Sequence, residues 1–186
     1  MRLLLLCCLA LAACTAADVP RVRPTAWAQP VIGAKLGNWF RVSTELYRCE
    51  QPSAAEMKVL ESFGIKAVVN LREFHSDAEE AAGTTLTITE IKLDAGELSY
   101  GQLVSALKLV LAAPKPAIVH CWHGSDRTGA VIAGYRVAVE GWTAADALDE
   151  MVYGGYGHHS MYANLRTLVG GLDAAKLRSD LGLPAR

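Results

Sequence analysis

Downstream of Trp39, apolar positions fall alternately into short continuous runs and into the i, i+3, i+4 spacing of a helix face. Residues 39–42 and 46–49 are short β-prone stretches around Ser43-Thr44-Glu45, which predicts a hairpin at the edge of a sheet. Ser53 with Glu56 three residues on forms a capping box, Met57, Leu60 and Phe63 share a face, and Gly64 supplies a stop, so a helix is expected over 54–63. Residues 65–71 then make a nearly unbroken apolar run, as a strand covered on both faces does. A short helix over 76–82 and a strand over 85–93 follow. Leu103, Ala106, Leu107, Val110 and Leu111 mark one face of an amphipathic helix, which Pro114 and Pro116 end.

The next strand, Ala117-Ile118-Val119-His120, runs directly into Cys121-Trp122-His123-Gly124-Ser125-Asp126-Arg127-Thr128-Gly129. Residues 128–140 are apolar almost all round, so they predict a helix buried behind that loop, and Gly141 ends it. Ala144, Ala147, Leu148, Met151 and Val152 mark a further helix, Gly154-Gly155-Tyr156-Gly157 breaks the chain, and one or two C-terminal helices remain. This order of elements defines an α/β fold with a central, mostly parallel sheet flanked by helices.

At 186 residues and 52% hydrophobic, the chain is sized for one domain with a full core. A net charge of −1 excludes the broad basic field of a nucleic-acid partner, so any bound anion is held locally. Residues 3–13 form an apolar run behind Arg2 that is too short to span a bilayer, which predicts a signal peptide over 1–13. The run ends in Leu11-Ala12-Ala13-Cys14, which resembles the lipobox of bacterial lipoproteins. That resemblance implies lipidation of Cys14 and, because Thr15 follows in place of an aspartate, anchoring in the outer membrane facing the periplasm. Without it the protein is expected to be soluble and periplasmic. Pro20, Pro24 and Pro30 predict a semi-rigid tether over 14–30, which leaves 31–186 as the domain and the lipid as its sole membrane contact.

The Cys121 loop carries the chemistry. A strand feeding a glycine-containing loop at a helix N-terminus gathers backbone amides and the positive end of the helix dipole into one concavity suited to an anion. A cysteine there has its thiolate favoured by the amides, the dipole and the Arg127 charge, which makes it a nucleophile. Arg127 can return to the mouth of the loop and grip two phosphate oxygens with its planar fork. The Thr128 hydroxyl can donate to the sulfur, and His120 is expected to face backward and fix the loop.

His120-Cys121, five residues, then Arg127-Thr128-Gly129 resembles the signature loop of the cysteine-dependent protein tyrosine and dual-specificity phosphatase superfamily. The resemblance extends more loosely from Leu46 to His159. It implies a phosphomonoester hydrolase that needs no cofactor or metal: Cys121 attacks phosphorus to give a thiophosphoryl intermediate, while Arg127 and the amides of a cradle made by Trp122, His123, Gly124, Ser125 and Gly129 stabilise the equatorial oxygens. A general acid must protonate the leaving oxygen. Asp94, 27 residues before Cys121, stands about where the superfamily's mobile loop supplies its aspartate. Asp126, inside the loop, stands as in branches that resemble the myotubularins; Glu90 and Glu97 are weaker candidates.

Substrates implied are a phosphorylated protein, or a phosphoinositide or inositol phosphate for the same fold. Two readings from other classes compete: a rhodanese-like sulfurtransferase, disfavoured by the Arg127-Thr128-Gly129 ending, and an inactive phosphate-binding module, disfavoured because nucleophile, arginine and acids are all present. Trp122 and His123 could wall an aromatic or inositol ring, and Arg48 and Arg72 are expected at an exposed rim. His158 and His159 read as solvated surface. With Cys7 and Cys8 in the signal segment, the domain keeps Cys49 and Cys121, and Cys49 could trap Cys121 in a reversible disulfide.

Overall fold

Helix boundaries follow from their caps. In a computed structural model that describes residues 23–33 and 35–186, α1 (Ala54–Phe63) begins at Ser53, whose side chain accepts from the Glu56 amide while Glu56 returns to the Ser53 amide. It ends on Gly64 at φ 104°, a left-handed conformation that glycine adopts without steric cost. A second capping box, Ser99 with Gln102, starts α2 (Tyr100–Ala112). These helices pack on a six-stranded sheet of β1 (Gln29–Pro30), β2 (Phe40–Arg41), β3 (Leu46–Cys49), β4 (Ala67–Arg72), β5 (Thr87–Leu93) and β6 (Ala117–His120) in the order β1-β2-β3-β6-β4-β5. β3, β6, β4 and β5 run parallel, and β1 and β2 add an antiparallel edge.

Period-2 alternation explains the unbroken apolar strands. Leu46, Ala67, Val69, Ala117 and Val119 enter the larger core, with α2, α3 (Asp126–Tyr135), α4 (Ala144–Tyr153) and α5 (Ala163–Gly170). Their neighbours Tyr47, Cys49, Val68 and Ile118 enter the second core with Met57 and Leu60 of α1. A single residue of slip would exchange the two faces, so the register is strongly specified.

Four expectations are corrected. The hairpin strand β3 is buried between β2 and β6, and β1 forms that edge of the sheet instead. Residues 76–82 form turns rather than a helix, because the Asp77 amide and the Ser76 hydroxyl both bond to Glu90 of β5. The helix behind the loop starts at Asp126, two residues early, and after Tyr135 continues as a π-helical turn over Arg136–Glu140. Residues 23–30, expected as tether, are part of the domain: Trp27 and Ala28 are buried, the Ala28 amide donates to Glu150 Oε1 at 2.6 Å, and Gln29–Pro30 pairs with β2. Proline favours edge strands as well as linkers, so composition could not separate the two. The expected signal peptide and Cys14 lie outside the described residues. No helix among the described residues is long and apolar enough to cross a membrane. α6 (Ala174–Asp180) closes the fold against the π-helical turn.

Candidate active site

β6 delivers Cys121 to the carboxyl edge of the parallel strands, where open α/β sheets place their ligands. Cys121 is 2% exposed, at the floor of a loop that ends in the N-terminus of α3. The loop turns at Gly124, φ 68°, where a Cβ would stand 2.3 Å from the Cys49 carbonyl oxygen, so only glycine fits. Each carbonyl from 121 to 124 has a donor outside the cradle. His120 Nδ1 faces the Cys121 carbonyl at 3.1 Å, and the Gln51 amide donates to Trp122 at 3.0 Å. Asn38 Nδ2 donates to the His123 carbonyl at 2.6 Å, and Arg48 Nη2 to Gly124 at 2.6 Å. Holding these carbonyls outward turns the loop toward an anion, but the Gly129 amide, expected in the cradle, is not available to it: it donates to the Ser125 carbonyl at 2.8 Å as the first bond of α3.

His120 is fully buried and has a carboxylate partner that the sequence did not announce. Its Nε2 lies 2.7 Å from Asp77 Oδ2, both side chains fully buried. The ring therefore links the Cys121 carbonyl on one side to the buried Asp77 carboxyl on the other. Burial works against the Asp77 charge, but the His120 hydrogen bond and charge, with Gln51 and His75, hold its carboxyl below the usual range. Nothing in the sequence singles out Asp77, which is expected only as part of a short helix over 76–82. Asn38, at φ 51°, is announced weakly by the Gly37-Asn38 turn dipeptide.

Arg127 Nη1 donates to the Leu93 carbonyl at 3.0 Å, which ties the loop to the end of β5. Asp94 follows at once, exposed, with Oδ1 accepting from the Gly96 amide at 2.7 Å. Asp94, Arg127, Arg72, Phe74, Trp122 and Tyr162 line a cavity of about 290 Å³. A neighbouring cavity of about 340 Å³ is lined by Cys121, His123, Asp126 and His159, and the two share Trp122, Arg127 and Tyr162. Trp122 is over half exposed, with the Arg72 guanidinium 4.1 Å above its ring.

Asp126 is held on both oxygens. Oδ1 accepts from the His159 amide at 2.9 Å and lies 3.0 Å from His158 Nδ1, while Oδ2 lies 2.7 Å from His159 Nδ1. His159 is exposed as expected yet reaches back to the loop through both contacts, whereas the His158 side chain, expected at the surface, is buried against Asp126. Burial, with the charges of Arg166 and His159, keeps His158 below its ordinary range although Asp126 pulls the other way.

Ser125 turns its hydroxyl to the Tyr156 carbonyl at 2.5 Å and lines neither cavity. The Thr128 hydroxyl is buried without a partner. A Cβ at Gly129 would meet Met151 Cγ at 2.8 Å, so this glycine admits close packing of α4 against α3. Arg48, expected at an exposed rim, is fully buried. Cys49 and Cys121 are both free, and burial, then the Asp77 and Cys121 charges, pushes the Cys49 thiol well up, which disfavours it as an attacking thiolate. His75, Asp77 and Glu80 bring ligand-type atoms within 4.8 Å of one another, but the Asp77 oxygens already serve Gln51 and His120.

A cysteine at the floor of an amide cradle, an arginine six residues on and a helix N-terminus behind them define the class of phosphate-handling cysteine enzymes. Comparison with known proteins agrees. Residues 42–141 match the family model described as "Polymorphic toxin system, DSP-PTPase phosphatase". Dual specificity protein phosphatase TpbA of Pseudomonas aeruginosa is 32% identical over 167 residues, 88% of this chain and 74% of that protein. The crystal structure of a cysteine-to-serine variant of TpbA in complex with phosphotyrosine superposes with a TM-score of 0.77 at 30% identity, over 87% of this chain and 99% of that one. The catalytic core of the yeast PP-IP phosphatase SIW14 shares the fold, with a TM-score of 0.64 at 18% identity over 81% of this chain and 91% of that one. The chain belongs to the DSP-PTPase phosphatase family and is a phosphatase, not a rhodanese-like sulfurtransferase.

Proposed function

We propose that the protein hydrolyses phosphotyrosine in protein substrates through Cys121, Arg127 and Asp94. The observation that carries the assignment is the Arg127–Leu93 hydrogen bond of 3.0 Å, which brings Asp94 and the phosphate-gripping arginine into one cavity beside Cys121. Cys121 Sγ attacks phosphorus in line, the S–P bond forms as the bond to the leaving oxygen breaks, and the Asp94 proton passes to that oxygen. Arg127 and the loop amides stabilise the equatorial oxygens. Water then attacks the thiophosphate, its proton returns to Asp94, and the buried Thr128 hydroxyl donates to the departing sulfur.

Phosphotyrosine is favoured over a phosphoinositide by the aromatic walls of the cavity at Trp122, Phe74 and Tyr162, and by the phosphotyrosine bound in the related TpbA structure. Phosphate release from a phosphotyrosine peptide, p-nitrophenyl phosphate and a phosphoinositide, in reductant and chelator, tests this. The peptide is expected to lead and Cys121→Ser to abolish turnover; a Cys121→Ser protein that still turns over, or a phosphoinositide in the lead, refutes the assignment.

We also propose a signal peptide over residues 1–13, lipidation of Cys14 and anchoring to the outer membrane facing the periplasm, on the apolar run ending in Leu11-Ala12-Ala13-Cys14. Cell fractionation should find the wild type in membranes and Cys14→Ala in the soluble fraction. A wild type that is fully soluble contradicts it.

A further inference from the structure

Arg48 has no place in that mechanism, yet it is a fully buried arginine beside the site. It lies on β3 in register with Val119, with no exposed surface, and its Nε is buried without a partner. No carboxylate among the described residues lies within ion-pair distance of it. The nearby Glu150 is engaged by Arg136 at 2.8 Å, by the Ala28 amide and by the Tyr156 hydroxyl. What Arg48 does contact is the back of the loop. Nη2 donates to the Gly124 carbonyl at 2.6 Å and approaches within 4.0 Å of where a Cβ of Gly129 would stand, at the start of α3. Its guanidinium lies 3.5 Å from the centre of the Tyr156 ring.

We propose that Arg48 is a positioning residue of the phosphate cradle, which holds the Gly124 carbonyl away from the anion and sets a fixed positive charge beneath the loop. Of the four donors that engage carbonyls 121 to 124, the Gln51 amide and the Asn38 side chain are neutral, and His120 is paired with the Asp77 carboxyl. Among these donors, Arg48 brings a charge that has no ion-pair partner of its own among the described residues, since Glu150 is taken by Arg136. Desolvation pulls its ionisation down, while Tyr156, Glu150 and Cys121 support it, and a guanidinium stays protonated under such pressure. Burying an uncompensated charge costs stability. That cost is offset when an anion, the Cys121 thiolate or a phosphate, occupies the opposite side of the loop. Loops that carry their amides toward an anion need their carbonyls held elsewhere, since a carbonyl swung inward would repel the phosphate.

This inference rests on the assignment of Cys121 as nucleophile, and the test separates the two. Full-length Arg48→Met and Arg48→Lys are compared with wild type for the rate of iodoacetate alkylation at Cys121 near neutral pH, inhibition by inorganic phosphate, turnover of p-nitrophenyl phosphate and thermal midpoint. In Arg48→Met the apolar stem remains and the charge goes. Alkylation is expected to slow, and the phosphate inhibition constant to rise, by about tenfold or more, the worth of one charge-assisted hydrogen bond. Its thermal midpoint should hold or rise, because a buried charge has been removed. Arg48→Lys keeps a charge without the fork, and should alkylate close to wild type while binding phosphate more weakly.

A folded Arg48→Met that alkylates and binds phosphate like wild type overturns the proposal. If Arg48→Met does not fold, Arg48→Lys decides alone: weakened phosphate binding with near-normal alkylation supports it, and wild-type phosphate binding overturns it. Failure of the underlying assignment looks different, as wild-type protein that is not alkylated at Cys121 or a Cys121→Ser variant that still turns over.

Discussion

Replacing Asp126 by asparagine should cost stability and leave the chemistry of the leaving group alone, whereas Asp94→Asn should do the reverse. Asp126 meets three histidine contacts, two from His159 at 2.7 and 2.9 Å and one from His158 at 3.0 Å. An asparagine keeps one acceptor and turns an NH2 group against the other partner. Each charge-assisted bond lost is worth ~1.5–3 kcal/mol, discounted for His159 because its side chain is 45% exposed. A net loss of roughly 2–3 kcal/mol follows, which lowers the thermal midpoint by about 4–12 °C in a domain of this size. Asp94 bonds to the Gly96 amide from the surface, and asparagine retains that acceptor, so its midpoint should move by less than about 2 °C. The catalytic effect is read from kcat/KM across aryl phosphates of increasing leaving-group pKa. Loss of the proton donor should cost at least about 10²-fold on the poorest leaving group and far less on p-nitrophenyl phosphate, which steepens the dependence. Asp126→Asn should shift all substrates together. A steepened dependence in Asp126→Asn beside an unchanged one in Asp94→Asn would refute the assignment and make the clamped carboxyl the acid.

Gly124→Ala should cut kcat/KM by about 10²-fold or more, because its Cβ cannot coexist with the Cys49 carbonyl 2.3 Å away and the cradle must shift; a variant with wild-type kinetics would show that the loop repacks freely. Stability should decline as pH falls, first through the His158 range and then through that of Asp77. His158 titrates lower when folded than when unfolded, so its contribution is complete above the unfolded value of ~6.5 and is lost below it. The Asp77 carboxyl is likewise depressed in the folded state, so its contribution is present above the unfolded value of ~3.9 and is lost as pH drops through the lower, folded one. Urea midpoints across this range should show both steps, and Asp77→Asn should flatten the lower one. Arg72→Ala removes the cation over Trp122 beside Arg127 and should raise KM for a phosphotyrosine peptide by about fivefold with kcat unchanged; an equal loss in kcat would place Arg72 in the transition state instead.

Local signals were legible where one segment decides the outcome. Ser53, Glu56 and Gly64 bound α1 in the sequence as they do in the fold, and the apolar run of β6 announced the strand under Cys121. Position 76–82 went the other way because Glu90, on a different strand, offers the Asp77 amide a better partner than a helix would. The same long-range logic hid the roles of Arg48, Asp77, His158 and His159. An arginine in a four-residue strand, or a histidine pair after glycines, looks like surface until the topology brings a carbonyl or a carboxylate to it.

Such concealment is a consequence of how an anion cradle is built. The segment from Cys121 to Gly129 can supply amides, a thiol and an arginine, but it cannot by itself decide which way its carbonyls point. That orientation comes from Asn38 before β2, Arg48 on β3 and the Gln51 amide after it, with His120 braced by Asp77 in the turn before β5. Every donor except His120 is more than sixty residues away in sequence, so the cradle forms only when β3 and β6 are in register. A short signature loop transplanted without those donors would keep the reactive residues and lose the arrangement that binds phosphate. Substitutions at Asn38 or Asp77, neither of which lines the cavities, are therefore expected to act on phosphate affinity as directly as substitutions inside the loop.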